Sequence, residues 1–212
     1  MTAGAWLLLV LAAGFAAGDW VAVVQRSKPL EYVCKPLTIV LLIAVAASLD
    51  VAHESARTWF MVALFFSLAG DVFLMLPRDL FVPGLASFLV AHLAYVAGLW
   101  AEGVDPLQFV IGLAVVTLAI VAIGGRVVRG IRAGDEPSMA TAVMAYMAVI
   151  SLMLASAIGT GVALAAAGAA LFYCSDALIA WQRFVRPRPW HGLAIIVTYH
   201  LGQAGLTLSL VT

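Results

Sequence analysis

The chain of 212 residues is 65% apolar and only 10% charged, and its 11 basic and 11 acidic side chains give a formal net charge of zero. An ordinary soluble domain is about half apolar and a quarter charged, so a water-soluble core is excluded as the destination of this much apolar surface. The neutral charge gives nucleic acid nothing to bind. A bilayer can take such a surface, and the expectation is an all-α, polytopic membrane protein in which residues 1–212 form a single transmembrane domain.

Eight apolar runs follow one another, each close to the ~20 residues a helix needs to cross the hydrocarbon. The first, Ala5–Val24, has no Lys or Arg before it and is read as a retained helix rather than a signal peptide. The second, Tyr32–Leu49, carries Pro36 in its first turn, where a missing amide costs little. Trp59–Leu76, Val82–Trp100 and Leu107–Gly124 come next, then Met139–Ala157, Gly161–Trp181 and Gly192–Leu210. No run has the mid-membrane Gly/Pro break of a discontinuous helix.

The basic residues set the orientation. Arg26, Lys28 and Lys35 follow the first span, Arg78 the third, Arg126, Arg129 and Arg132 the fifth, and Arg183, Arg186 and Arg188 the seventh. Only Arg57 falls on the other side, so the bias is ten to one and alternates correctly with eight spans. By the positive-inside rule the basic loops are cytoplasmic and both termini lie outside a cell membrane. Six tryptophans near span ends suit an interfacial aromatic belt.

Ionisable groups inside a bilayer are costly and therefore informative. Asp71, His92, Asp176 and His200 stand out. Asp71 and Asp176 lie ~8 Å from the cytoplasmic ends of their spans, and the histidines about a dozen ångströms in. All four are expected to share one cavity open to that leaflet. Asp19, read as near the outer end of its span, is expected to reach water. Ser67 and Asp71 share a helix face, and Tyr95 and Phe88 flank His92 on another. Tyr199, His200 and Gln203 make a polar stripe on the eighth span, while Ser67, Ser175 and Gln203 also suit plain interhelical hydrogen bonding. Cys34 and Cys174 read as small apolar fillers near cytoplasmic helix ends. Gly70-Asp71 followed by His92, and Ser175-Asp176 followed by His200, suggest a parallel 4+4 pseudo-repeat.

The segment from Ser67 to Met75, with Phe81, Gly84, Phe88, His92 and Tyr95, resembles the lysoplasmalogenase (YhhN-like) membrane family. So do Lys35-Pro36, Tyr146, Phe172 to Asp176, Tyr199 and Gln203. The resemblance implies an eight-span enzyme that hydrolyses the vinyl-ether bond of lysoplasmalogens to a fatty aldehyde and a glycerophospho-head group. A vinyl ether opens by protonation of its distal alkene carbon, which needs an acid, a base and tolerance of positive charge. Asp71 is assigned as the acid and Asp176 as the base, an assignment that can be swapped. His92 and His200 are read as orienting water or relaying protons. Lys35 and Arg183 are placed to hold the lipid phosphate; Ser67, Tyr95, Tyr146, Ser175, Tyr199 and Gln203 complete the substrate-binding set. The partners are then a lysophospholipid and bilayer lipids. No Gly-x-Ser-x-Gly occurs, and no cofactor or metal is called for, since the histidines lie on different helices without a His-x-x-x-His pair. The competing reading is a proton-coupled transporter or a lipid-binding protein without enzymatic activity.

Overall fold

The computed structural model describes residues 1–134 and 137–211. The described residues are helical throughout, with short loops. The elements are α1 (Ala3–Gln25), α2 (Lys28–Ser48), α3 (Glu54–Met75), α4 (Phe81–Glu102), α5 (Pro106–Ala119), a π-helical turn (Ile120–Gly124), α6 (Gly125–Ala133), α7 (Met139–Gly159), α8 (Ala163–Phe184) and α9 (His191–Leu208), with a closing 3₁₀ turn (Ser209–Val211). Because α5, the π turn and α6 run on as one, eight helices are long and apolar enough to span a membrane.

Helix starts follow local chemistry. The Thr2 hydroxyl accepts a 3.1 Å bond from the Ala5 amide, and Asp105 accepts a 2.9 Å bond from the Gln108 amide with Pro106 just behind it. Two boundaries differ from the sequence expectation. Helix α2 begins at Lys28, so Pro29 occupies the first turn and Pro36 lies in the helix interior. Helix α6 continues to Ala133, so Arg126, Arg129 and Arg132 are helical rather than in a loop. Val127 and Ile131 of α6 are buried while its arginines are exposed, an amphipathic pattern that holds the turn against the bundle.

Neighbouring helices pair as α1/α2, α3/α4 and α8/α9, and α5 and α4 lean on α7. Lipid offers no hydrophobic drive between helices, so close backbone approach matters. In α8/α9 a Cβ added at Gly168 would lie 2.6 Å from the Leu206 nitrogen, and one at Gly202 would lie 2.8 Å from the Phe172 nitrogen. This contact fixes the register that aims Tyr199 and Gln203 inward. Cys34 is buried against Gly18, as a filler would be, but Cys174 is exposed on the side of α8, ten residues before its end.

Candidate active site

Asp71 lies one turn before the end of α3 and is 1% exposed. A carboxylate this deep persists only with partners, and it has two. Lys35 Nζ of α2 stands 3.1 Å from Oδ1. The Tyr199 hydroxyl of α9 donates to Oδ2 at 2.6 Å. Gln203, one turn on, donates to the Tyr199 oxygen at 3.3 Å and accepts from the Tyr95 hydroxyl of α4 at 2.5 Å. One hydrogen-bonded chain thus ties α2, α3, α4 and α9.

Asp176 lies eight residues before the end of α8, deeper than expected because the helix runs past Trp181 to Phe184. The Tyr146 hydroxyl of α7 donates to its Oδ2 at 2.5 Å, and His92 Nε2 of α4 stands 3.7 Å from the same atom. His92 is fully buried and neither ring nitrogen has a hydrogen-bond partner. The Phe172 ring stands between the two carboxylate clusters, edge-on to His92, Tyr95 and Tyr199.

Two cavities meet here. A polar vestibule of about 830 Å³ opens among the helix ends that carry the basic loops, lined by Arg26, Lys28, Lys35, Arg78 and Arg183 with Asp19, Glu31 and Asp79. An apolar slot lies between α4, α6, α7 and α8, lined by Phe88, Val127, Val143, Ile150 and Phe184 with Tyr146 and Asp176. Leu74, Phe81 and Ile179 line both, so the two spaces share a wall.

The single cavity expected for four ionisable groups is therefore divided. Asp176 lines the slot, and Lys35 connects Asp71 to the vestibule. His200 faces elsewhere, because neighbours in a helix point about 100° apart and Tyr199 takes the inward direction. Its Nδ1 accepts a 3.2 Å bond from Trp20 of α1, and its Nε2 is 3.9 Å from Asp19. Asp19 itself does not reach bulk water as expected. It lies on the turns of α1 nearest the basic loops, is fully buried, and lines the vestibule. Position along a helix that runs toward the basic face places it there, and burial by α9 is invisible in local sequence.

The remaining predicted residues divide by what they touch. Ser67 is buried one turn before Asp71 with its hydroxyl unpartnered. Ser175 donates to the Ile195 carbonyl at 3.1 Å and ties α8 to α9. Arg183 pairs with Asp79 at 3.0 Å and lies 4.1 Å over the Phe81 ring at the shared wall. Its guanidinium holds the Asp79 carboxyl below the usual carboxylate range. The sequence reading missed Trp20 and Asp79; each is an interfacial residue type whose partner lies more than a hundred residues away. No group of three or more His, Cys, Asp or Glu is gathered to hold a metal ion among the described residues.

Two unlike carboxylates close to a greasy slot and a charged vestibule can move protons on a substrate with one long apolar arm and one polar end. A model of the YhhN family matches residues 30–210. The chain is 40% identical to the human protein named lysoplasmalogenase TMEM86B over 69% of its length and 61% of the relative's. It is 36% identical to rat lysoplasmalogenase TMEM86B, covering 83% of this chain and 70% of the relative. A Mycobacterium tuberculosis protein named lysoplasmalogenase is 29% identical over 87% of the chain and 75% of its own. The chain thus spans a little over three fifths of the human relative it matches. No solved structure matches.

Proposed function

The chain belongs to the YhhN family, and from that premise we propose that it is an integral membrane hydrolase of lysoplasmalogens. The observation that carries the reading is the junction of slot and vestibule, with Asp176 lining the first and Lys35, paired with Asp71, lining the second. A lysoplasmalogen has the same division: an apolar chain, a vinyl ether, then a phosphate-bearing head group. The chain occupies the slot, the vinyl ether lies beside Asp176, and the phosphate faces the vestibule arginines and lysines.

The sequence reading made Asp71 the acid. The ion pair with Lys35 turns the roles round, because a cation at 3.1 Å favours the ionised carboxylate. Asp176, with a phenol and an imidazole but no Lys or Arg beside it, is the proton donor. Asp176 protonates the distal alkene carbon and leaves an oxocarbenium ion. Asp71 takes a proton from water as the water oxygen bonds to the carbon that carries the ether oxygen. The hemiacetal then breaks its bond to the glycerol oxygen, which receives the proton held on Asp71, while the hemiacetal hydroxyl returns a proton to Asp176. Both groups end as they began, and the products are aldehyde and glycerophospho-head group. His92 Nε2, 3.7 Å from Asp176 Oδ2 and just beyond hydrogen-bond reach, is placed to steady that carboxylate once it has given up its proton. Tyr95, Tyr146, Tyr199 and Gln203 hold the two carboxylates in place.

The basic loops face the cytoplasm of a cell membrane in this proposal, so the vestibule opens to the inner leaflet. Purified protein in detergent, given an alkenyl lysolipid beside its ester analogue, is expected to release aldehyde from the first and no fatty acid from the second, as read by mass spectrometry. Release of neither product removes the hydrolase reading and favours a carrier.

A further inference from the structure

Asp19 is the buried acid that the mechanism above leaves unused. Both of its oxygens lack a hydrogen-bond partner among the described residues, although the side chain is fully buried and lines the vestibule. Its nearest basic group is His200, 3.9 Å away. The Trp20 indole N–H occupies His200 Nδ1, so the ring's own hydrogen sits on Nε2 and the imidazole is neutral, too far from Asp19 to donate to it. Lys35 is already committed to Asp71. Of the two buried carboxyl groups near Lys35, Asp71 therefore has its partners and Asp19 is left without a donor.

We infer that the missing donor is supplied by the substrate: Asp19 is the subsite for the ammonium of an amine-bearing phospholipid head group. This rests on the lysolipid reading above. Asp19 stands on α1, which lines the vestibule and not the slot, whose walls are α4, α6, α7 and α8. A head group leaving the vinyl ether passes Lys35 and the rim arginines Arg26 and Arg78, where its phosphate is held, and ends its amine at Asp19. The two open oxygens accept N–H hydrogens from a primary ammonium, beside the His200 ring that Trp20 holds. Amine-bearing lysolipids are then selected over head groups of similar size without a cation.

The test compares alkenyl-glycerophosphoethanolamine with its N-acetyl derivative, which keeps the phosphate and removes the charge. Wild-type protein is expected to show a KM about tenfold lower for the free amine, the scale of one charge-assisted hydrogen bond. Asp19→Asn is expected to raise KM for the free amine by about the same factor. Its kcat, and both constants for the N-acetyl lipid, stay unchanged. Equal loss on both lipids, or a fall in kcat, assigns Asp19 a structural or proton-relay role and overturns the inference. So does a wild-type enzyme that does not distinguish the lipids, whether or not the variant folds. If no aldehyde forms from either lipid, hydrolysis has failed while the subsite remains open to test by binding. Binding of non-cleavable alkyl-glycerophosphoethanolamine and of its N-acetyl form is then titrated by calorimetry. Preference for the amine that is lost in Asp19→Asn supports the subsite, and absence of preference overturns it.

Discussion

Asp71 and Asp176 have the same side chain in different company. A lysine and a tyrosine hold the first, a tyrosine and an unpartnered histidine the second. Removing the proton chemistry while keeping the shape separates their proposed roles from packing. Asp71→Asn and Asp176→Asn are each expected to lower kcat by ~10²- to 10⁴-fold, the usual value of general acid–base catalysis, with the protein still folded on size exclusion. Ser67→Ala is expected to cost only a few-fold, since its hydroxyl touches no partner. A dead Ser67→Ala beside an active Asp71→Asn reverses the ranking and requires a serine nucleophile. The buried ionisable residues were legible because charge in an apolar run is rare and costly. Their partners were not: Lys35 and Asp71, or Asp176 and Tyr146, meet only through the packing of separate helices. That is why Asp19 read as a wetted end group.

Helices α8 and α9 show how an element sets the site. Gly168, Gly202 and Gly205 let the two backbones touch, and Ser175 ties them once more. The stripe of Tyr199 and Gln203 depends on that register. Gly168→Ala places a methyl group 2.6 Å from a backbone nitrogen that cannot step aside. Forced overpacking costs about 1–3 kcal/mol, so a clear fall in the detergent melting temperature is expected. Gly14→Ala, whose added carbon meets nothing within 4 Å, serves as the control and is expected to melt like wild type. Equal melting of both variants means that the helices are not held by this contact. The spans themselves were legible from hydropathy, which a bilayer imposes on every crossing segment. Their ends were less so. Pro36 and the α6 arginines lie inside helices because tertiary packing carries the backbone past the apolar run. Across the bundle, Asp71 of α3 bonds to α9 while Asp176 of α8 faces α4.

For the whole molecule, the eight spans place the basic residues at one end and leave Arg57 at the other. A phosphatase fused after the last residue is expected to be active outside the cytoplasm, and a fluorescent protein at the same site dark. A dark phosphatase with a bright fluorescent fusion inverts the topology and turns the vestibule toward the outer leaflet. The most direct measurement on the central claim concerns the first proton. Acid-catalysed opening delivers it to the distal alkene carbon, so the reaction run in D₂O writes its own record. The aldehyde, reduced at once to the alcohol to prevent exchange, is expected to carry one deuterium on the carbon next to the former carbonyl, and Asp176→Asn is expected to form that product ~10²- to 10⁴-fold more slowly. Aldehyde released by wild type without that deuterium contradicts protonation of the alkene carbon, and with it the role given to the buried carboxylates.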